Sequence, residues 1–357
     1  MPYSRDVRSA LLESWDDGDL SDEEFFVLYD LNKSKIDYPY WKYDRFDLDT
    51  WDDTQCWYHF RFMKNDIYRL KEALHIPDTV LTYNRMKLDG EEALCMFLQR
   101  FAYPCRYVDM ISNYGRSIPE FSIVTNMMVE YIYGTFSHVL SDFNHPIFDT
   151  SKLEEYCVAI HNKGAPLSNC FGFIDGTVRP ICRPSKNQRQ VYNGHKKVHS
   201  LKFQSIGLPN GLIGNLFGPI EGRRHDCFLL RESAVLTHLQ QIAFNSNRDA
   251  LCIYGDPAYP VRIHLQSPFQ GPNLSALQQE FNTRMSKVRV SVEWLFEDLT
   301  SWFAFMDYKK NLKISLSCVG KMYLVCAILK NARTCLYGSL TSDYFNCEPP
   351  LLEEYLV

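Results

Sequence analysis

Long apolar runs, a secretory leader and paired cysteines are all missing from this 357-residue sequence. Because no apolar run approaches the ~20 residues that span a bilayer, we expect no membrane helix. Residues 1–19 lack the apolar centre of a signal peptide, which predicts an intracellular protein. The 12 cysteines are scattered from Cys56 to Cys347 without a CxxC pair, so we expect reduced thiols that mostly fill small spaces in the core.

The familiar catalytic loops are absent too. There is no GxxxxGKS/T, GxGxxG, GxSxG or HExxH segment, which argues against a P-loop, a dinucleotide site, a serine-hydrolase elbow and a zinc-protease helix. His195 and His199 do have HxxxH spacing. Since that segment has the pattern of a strand, the two imidazoles need not share a helix face, and the pair is only weak support for a zinc site.

Aromatic side chains, by contrast, are abundant. The chain contains 22 Tyr, 23 Phe and 6 Trp, and 46% of its residues are hydrophobic. This composition excludes a disordered or low-complexity protein. At about 150 residues per domain, the length predicts about two domains with substantial cores.

Charge is distributed unevenly along the chain. Taken as a total, the formal net charge of −5 argues against a nucleic-acid-binding protein, but residues 1–60 carry −9 and the remaining residues carry +4. No acid occurs in residues 176–220. This stretch is either a solvated surface or a face that binds phosphates, since attraction to phosphates depends on the local field. It contains seven cations: Arg179, Arg183, Lys186, Arg189, Lys196, Lys197 and Lys202.

The N-terminal part of the chain divides into two regions. Residues 1–56 form an acidic, aromatic-containing arm, which is either solvated surface or a segment that docks on a basic partner or on the protein's own basic face. Residues 57–165 have helical periodicity, and GEEALCMFLQRF predicts one of their helices. An earlier amphipathic helix is predicted from the spacing of Phe60, Met63, Ile67, Leu70 and Leu74.

A helix-turn-helix-like arrangement is predicted at the end of this region. RYVDMISN indicates a short helix, YGRS a turn, and IPEFSIVTNMMVEYIYGTF a longer helix with Pro119 in its first turn. Helical hairpins of this kind also occur in plain cores. If the longer helix reads DNA, its polar candidates are Ser122, Thr125 and Asn126.

From Cys170 the periodicity changes to that of strands. CFGFIDGTV and ALCIYGDPAYP predict buried strands, and HSLKFQSIGL and LIGNLFGPI predict a hairpin around Asn210-Gly211. Helices are predicted for DCFLLRESAVLTHLQQIAF and for residues 275–299 and 313–336. This order predicts an α/β domain over residues 166–357, with a mixed sheet and helices on its faces.

Three carboxylates occupy unusual positions in these apolar segments. Asp175 interrupts one strand, Asp256 ends another, and Glu293 lies between Val292 and Trp294 on a predicted helix. A buried carboxylate carries a desolvation cost unless it has a partner. If the three converge, they repel one another unless they are protonated or bridged by a hard cation such as Mg²⁺ or Mn²⁺. Helix caps and salt bridges are the alternative explanation for each acid.

Five segments together carry a family resemblance. In order and spacing, FGFIDGT, YNGHKKVHSLKFQSI, GPIEGRRHD, YGDPAYP and FNTRMSKVRVSVEWLF closely resemble the DDE superfamily endonuclease domain of PIF/Harbinger-type transposases. The resemblance runs from about residue 168 to 338. Upstream, EEALCMFLQRFAYP and YGRSIPEFS are similar to the helical region that precedes the nuclease in that family. The resemblance implies a ribonuclease-H-like fold and divalent-metal-dependent cleavage or strand transfer of DNA.

The resemblance also implies roles for individual residues. Asp175, Asp256 and Glu293 match the catalytic triad that holds the metal, and Glu297 is the fallback third ligand. Asp226 is similar to an accessory carboxylate or to the cap of the following helix. Two Mg²⁺ or Mn²⁺ ions roughly 4 Å apart would activate a water or a 3′-hydroxyl and stabilise the leaving oxygen. The candidates for contacts with the DNA backbone are Lys196, Lys197, Arg223 and Arg224.

Partners and location follow from the same resemblance. The sequence has no long basic tail or zinc finger, and in this family a Myb-like DNA-binding protein commonly supplies DNA recognition and nuclear entry. We therefore expect DNA and a Myb-like protein as partners, and action in the nucleus. A homo-oligomer is left open. The intact Asp/Asp/Glu set favours an active nuclease, and the alternative is a domesticated, non-cleaving derivative that binds DNA or another protein.

Overall fold

The chain is described by a computed structural model, which covers residues 3–22, 24–25, 28, 38–314 and 316–357. The strands are β1 (Thr79–Leu81), β2 (Lys87–Asp89), β3 (Cys170–Pro180), β4 (Tyr192–Asn193), β5 (Val198–Gly207), β6 (Ile213–Glu221), β7 (Cys252–Tyr254) and β8 (Leu265–Gln266). The α-helices are α1 (Tyr3–Asp16), α2 (Asp53–Phe60), α3 (Lys64–Ala73), α4 (Gly90–Ala102), α5 (Tyr107–Tyr114), α6 (Ile118–Phe136), α7 (Thr150–Asn162), α8 (Gln188–Val191), α9 (Asp226–Glu232), α10 (Val235–Ile242), α11 (Ala276–Arg289), α12 (Ser291–Trp302), α13 (Val319–Tyr337), α14 (Leu340–Phe345) and α15 (Leu352–Tyr355).

A mixed sheet forms the centre of the C-terminal half. Strands β6, β5, β3, β7 and β8 lie side by side in this order, and β4 pairs with the start of β5. The β6–β5 and β5–β3 pairs are antiparallel, whereas β3, β7 and β8 run parallel. Helices α7 and α12 pack against β3, and α13 packs against β6. The predicted α/β class with helices flanking a mixed sheet is confirmed, and it is consistent with a ribonuclease-H-like domain.

The β5–β6 hairpin turns at the predicted Asn-Gly pair. Gly211 has a φ of 82°, a conformation that glycine adopts without strain. The N–H of Leu208 donates to the carbonyl of Leu212 at 3.0 Å, which closes the turn. Asn331 of α13 then fixes the hairpin to the helical layer, since its side chain accepts from the N–H of Ile213 at 2.9 Å and donates to the carbonyl of Ile213 at 2.8 Å.

Helix α13 is a buried axis that joins the helical region to the sheet domain. It packs against α6 on one side and α12 on another. Arg333 of α13 lies in an aromatic cage, with its guanidinium carbon 3.6 Å from the ring centre of Trp302 and 4.6 Å from that of Trp57. Because Trp57 belongs to α2 and Trp302 ends α12, cation–π contacts connect the two regions through one buried arginine.

Three segments that the sequence predicts as single helices are each divided in two, and one of them, residues 275–299, forms α11 and α12. The stripe from Phe60 to Leu74 breaks because Arg61 has a left-handed φ of 69°, and Met63, which precedes α3, is exposed rather than buried. Similarly, the helix predicted from Asp226 onward breaks at Ala234, which has a φ of 50°. Apolar periodicity continues across the breaks at Arg61 and Ala234, so it predicts most of the buried face correctly, Met63 excepted, and the helix length wrongly.

The helix-turn-helix-like arrangement forms as predicted in α5 and α6. Gly115 ends α5 with a φ of 57°, and Ser117 and Glu120 form a capping box at the start of α6. Thr125, however, is buried, because α6 packs against α4 and α13. Thr125 is therefore excluded as a DNA-reading residue, and the side chain of Asn126 donates to the carbonyl of Ser122 within the helix at 2.9 Å.

The predicted arm of residues 1–56 lies partly outside the described residues. Its second half packs on the helical region. Phe46 stacks on Tyr114 with ring centres 4.7 Å apart, and the Arg45 guanidinium donates to the carbonyl of Gly115 at 3.1 Å. Trp51 contacts Phe60 at 5.2 Å between ring centres. These aromatic residues account for part of the aromatic content of an otherwise acidic segment.

The cysteines carry no cross-links. All 12 are free thiols, and most are buried. Burial raises the pKa of Cys157 to about 12, with smaller contributions from neighbouring Cys252 and Glu154. Among the residues that the structure describes, no helix combines the length and the apolar character needed to cross a membrane.

Helix α12 lies unusually close to the sheet at Gly207. A Cβ atom on Gly207 would lie 2.5 Å from a Leu295 methyl carbon and 3.2 Å from a Val292 methyl carbon. Gly207 pairs with Phe173 of β3, so the helix sits directly over the strand that carries Asp175. The missing side chain thus determines how near Glu293, in the first turn of α12, comes to the sheet.

Gly207→Ala is expected to destabilise the protein by about 1–3 kcal/mol, because the added methyl overpacks this contact. Urea denaturation measures the free energy of unfolding. Gly134→Ala is the matched control: a Cβ at Gly134 meets nothing within 4 Å, so alanine should stabilise α6 by roughly 0.5–1 kcal/mol. Equal effects of the two substitutions would contradict the close approach of α12.

Candidate active site

The register of β3 and β7 places two acids on neighbouring strands. Phe173 of β3 pairs with Tyr254 of β7 in the parallel register. Asp175 and Asp256 each follow two residues later, so they lie level with each other at the carboxyl end of β7. Neighbouring strands are about 4.8 Å apart. The Asp256 carboxylate accepts from the N–H of Ala258 at 3.0 Å, which fixes it in the turn after the strand.

Helix α12 supplies the third acid. Glu293 lies in its first turn, with 55% of its side chain exposed. Glu297 lies one turn further along the same helix and is also exposed. It is Glu293 whose charge acts on Asp175, where it helps to raise the pKa. The structure thus brings Asp175, Asp256 and Glu293 to one region from three separate elements.

The electrostatics of Asp175 reflect this crowding. Burial raises the pKa of Asp175 to about 6, and the charges of Asp256 and Glu293 act in the same direction. The Arg289 guanidinium and the N–H of Gly176 act in the opposite direction. Arg289 lies 3.7 Å from a carboxylate oxygen of Asp175 and 3.6 Å from one of Glu293. Arg289 is therefore the positive charge that holds two of the three acids together.

Tyr259 adds a buried hydroxyl beside the acids. Its ring is buried, and within the described structure its hydroxyl has no hydrogen-bond partner. Burial raises the pKa of Tyr259 well above its usual value, with contributions from Asp226, Asp175 and Asp256. A neutral phenol at this position offers a hydrogen-bond donor next to three carboxylates.

Asp226 lies in the same region and carries its own counterion. It is the first residue of α9, and the Lys202 ammonium donates to its carboxylate at 2.6 Å. A Cβ on Gly176 would lie 2.7 Å from an Asp226 oxygen, so only glycine leaves room for this carboxylate next to Asp175. Asp226 is thus a neighbour of the triad rather than only a residue at a helix start.

The predicted DNA-backbone residues border a cleft next to Asp226. This cleft of about 540 Å³ is lined by Lys196, Arg223 and Arg224, together with Lys202 and Asp226. Lys197 is exposed on the same turn as Lys196. Arg224 also pairs with Glu221 at 3.2 Å.

Two cations of the acid-free stretch are used internally. Arg179 donates to the Tyr323 hydroxyl at 2.9 Å and stacks over the rings of Tyr323 and Phe296, so it is part of the core. Lys202 is buried against Asp226. The phosphate-binding interpretation therefore applies to the exposed remainder of the stretch, not to all seven cations.

The donor set suits a hard divalent cation, because Asp175, Asp256 and Glu293 offer only carboxylate oxygens. Within the described ranges, no group of three His, Cys, Asp or Glu side chains stands close enough together to hold a metal ion. Arg289 instead compensates the charge of Asp175 and Glu293. In chemistry and charge the three residues fit such an ion, although two of them, Asp175 and Glu293, lie against Arg289 and the three are not gathered about one point.

Sequence reasoning misses Arg289, Lys202 and Tyr259 as members of this site. A signal for Arg289 is present, because it precedes Glu293 by four residues in a helical segment and such residues share a face. Tyr259 follows Asp256 by three residues in a turn, which also hints at proximity. The Lys202–Asp226 pair joins residues 24 positions apart through the tertiary fold and has no local signal.

Comparison with protein-family models gives a match within the sheet domain. Residues 174–331 match the model of the DDE superfamily endonuclease family.

This segment is similar to the DDE superfamily endonucleases.

The matched segment begins one residue before Asp175 and ends at Asn331, so it contains Asp226, Asp256 and Glu293 as well. It covers the sheet from β3 onward and most of helix α13. The predicted resemblance is confirmed at the level of the DDE superfamily. No curated protein and no solved structure matches the chain.

Proposed function

We propose that the protein is a divalent-metal-dependent DNA endonuclease or transposase of the DDE type, akin to PIF/Harbinger transposases. Asp175, Asp256 and Glu293 are its catalytic and metal-holding residues. The supporting observation is the β3–β7 register, which sets two acids side by side within a DDE endonuclease domain. Glu293 supports it further, because its charge acts on the buried Asp175 carboxylate.

Two of the three proposed metal-holding residues have fixed positions, and the third can adjust. When bound, a pair of Mg²⁺ or Mn²⁺ ions would activate a water or a 3′-hydroxyl and stabilise the leaving oxygen. Asp175 is fixed in a paired strand and Asp256 in a hydrogen-bonded turn, so both offer oxygens at set positions. Glu293 is exposed in the first turn of a helix and can change rotamer to complete the set. Asp226 is an accessory carboxylate whose charge Lys202 compensates.

We assign binding of the DNA backbone to the basic rim of the neighbouring cleft. Its phosphates would contact Lys196, Lys197, Arg223 and Arg224. Recognition of a target sequence is assigned to a Myb-like partner that also brings the protein into the nucleus. Two observations support this division. The helix that would read DNA in the helix-turn-helix-like region packs against two other helices, and the overall charge is −5.

One observation favours a second candidate, a domesticated derivative that binds DNA or protein without cleaving. Arg289 lies 3.7 Å from Asp175 and 3.6 Å from Glu293, so the protein itself supplies one positive charge where a divalent cation would bind. A site kept in this state would bind divalent cations weakly, because the cation would compete with the guanidinium for the same oxygens.

Two measurements decide between these candidates. Duplex DNA carrying the terminal repeats that flank this gene should be nicked in Mg²⁺ or Mn²⁺, more efficiently when a Myb-like partner is present. Calorimetric titration of the same protein should show divalent-cation binding. A protein that binds neither ion and cleaves no such duplex is the non-cleaving derivative.

A further inference from the structure

The cleft near the triad has features that contacts with the DNA backbone alone do not explain. Its floor is the Lys202–Asp226 pair, and Gly176 and Val178 of β3 form one wall. Gly176 follows Asp175 in β3, and the charges of Asp226 in the cleft and of Asp175 and Asp256 all act on the pKa of Tyr259, so the cleft lies near the triad. Its volume of about 540 Å³ lies within the ~300–1,000 Å³ range of small-molecule sites. A space of this size admits a nucleotide or two but not a duplex.

The two other walls of the cleft are tied together by a buried side chain. Asn193 donates to the carbonyl of Gly222 at 2.9 Å, and its side-chain oxygen accepts from the N–H of Lys196 at 2.8 Å. These bonds connect the turn after β4 to the turn before α9. The cleft is therefore formed before any ligand arrives. Because fewer side chains and loops have to become ordered, the entropic cost of binding is lower.

The charge of the cleft suits one or two phosphates. Lys202 and Arg224 are paired with Asp226 and Glu221. By contrast, among the residues that the structure describes, the side chains of Lys196 and Arg223 take part in no ion pair, and both are exposed. Two cations are thus free at the rim, while the floor is neutral overall.

The cleft also presents a flat ring. Tyr192 lines it, with 42% of the residue exposed, and the edge-to-face contact with His199 at 5.3 Å between ring centres orients the phenol. A positively charged groove with an exposed aromatic ring is the arrangement that binds unpaired nucleotides, because every base has a face that stacks. A paired base has no such free face.

We infer that this cleft binds an unpaired nucleotide of the DNA strand next to the bond held at the carboxylates, a conclusion that rests on the proposed nuclease function. Its base stacks on Tyr192, and its phosphates contact Lys196 and Arg223. The substrate of the site is therefore DNA that is locally opened beside the scissile bond, not a continuous duplex.

Fluorescence anisotropy with the full chain tests this inference in the presence of a chelator, so that no cleavage takes place. The probes are a short oligothymidylate and a fully paired hairpin duplex. Tyr192→Ala should weaken oligothymidylate binding by about 5- to 150-fold, the range for loss of one stacked base, and should leave duplex binding unchanged. Lys196→Ala should weaken binding of both probes, because phosphates are common to both.

Matched variants separate stacking from general damage. Tyr192→Phe keeps the ring and should bind oligothymidylate like the wild type. Tyr308→Ala removes a tyrosine that is equally exposed, at 42%, and does not line the cleft, so it should have no effect. The inference is overturned if Tyr192→Ala behaves like Tyr308→Ala, or if it weakens both probes equally.

The inference and the nuclease proposal fail in different ways. A wild-type protein that prefers oligothymidylate through Tyr192 but never cleaves DNA overturns only the nuclease proposal. A wild-type protein that cleaves duplex DNA while Tyr192→Ala binds oligothymidylate normally overturns only the nucleotide cleft.

Discussion

Asp175→Asn is expected to abolish metal-dependent DNA cleavage without unfolding the protein. Asn cannot supply the charged oxygen that a divalent cation needs, so cleavage should fall by about 10³-fold or more, which corresponds to roughly 4 kcal/mol or more of transition-state stabilisation. Asp256→Asn and Glu293→Gln should have the same effect. A gel-based nicking assay in Mg²⁺ and in Mn²⁺ measures it.

The fold should tolerate Asp175→Asn because the ionised carboxylate is costly where it lies. Only 20% of the Asp175 side chain is exposed, and burial of a charge carries a desolvation penalty that a neutral amide largely avoids. The free energy of unfolding should therefore stay the same or rise, as is common when functional groups are removed from strained sites. A loss of activity that merely follows a loss of stability would argue for a structural role.

Charge-matched controls locate the effect at the triad. Glu280→Gln removes an exposed acid from α11 that makes only a 3.9 Å pair with Arg284, and it should cleave like the wild type. Glu297→Gln tests the fallback ligand on the next turn of α12. If Glu297→Gln is inactive and Glu293→Gln is active, the third ligand has been assigned one turn too early. Full nicking activity in all three triad variants would end the DDE assignment.

Glu92→Ala is expected to cause the largest loss of stability. Glu92 accepts two hydrogen bonds from the Arg116 guanidinium, at 2.5 and 2.6 Å, and the two side chains are only 5% and 8% exposed. Removal of the carboxylate leaves the buried guanidinium with only its longer, 3.4 Å contact to Glu120, which costs up to about 3–5 kcal/mol. Urea denaturation of the variant should show a correspondingly lower free energy of unfolding.

Two further variants show whether the loss of stability comes from the buried charge of Arg116. The double variant Glu92→Leu with Arg116→Met removes both charges and should recover much of the stability, since apolar replacements of buried ion pairs are often neutral. Lys152→Ala breaks a 2.8 Å pair with Glu155 whose partners are 49% and 45% exposed, and it should cost less than about 1 kcal/mol. Similar losses in Glu92→Ala and Lys152→Ala would contradict the importance of burial.

Much of the fold follows from local patterns in the sequence. The strand around Asp175, the Asn210-Gly211 hairpin and the helix of residues 118–136 all have strong short-range signals, and all three form. Helix lengths are less predictable, because Arg61 and Ala234 adopt left-handed conformations that nothing in their side chains demands. These breaks are imposed by tertiary packing, which outweighs local preference.

The candidate site is predictable in its acids and not in their surroundings. Asp175 and Asp256 stand out because each interrupts or ends an apolar strand, a property visible in the sequence. Their mutual position depends on the β3–β7 register, which only the folded sheet specifies. The counterions, Arg289 for the triad and Lys202 for Asp226, depend on how helices and strands meet across the sheet.

The aromatic cage of Arg333 holds one end of helix α12. Glu293 lies near one end of this helix and Trp302 ends the other, about 14 Å apart at the usual helical rise. Trp302 makes a cation–π contact with Arg333, which makes a second one with Trp57 of the helical region. One continuous series of contacts, from Trp57 through Arg333 and Trp302, therefore joins the helical region to the helix that carries Glu293.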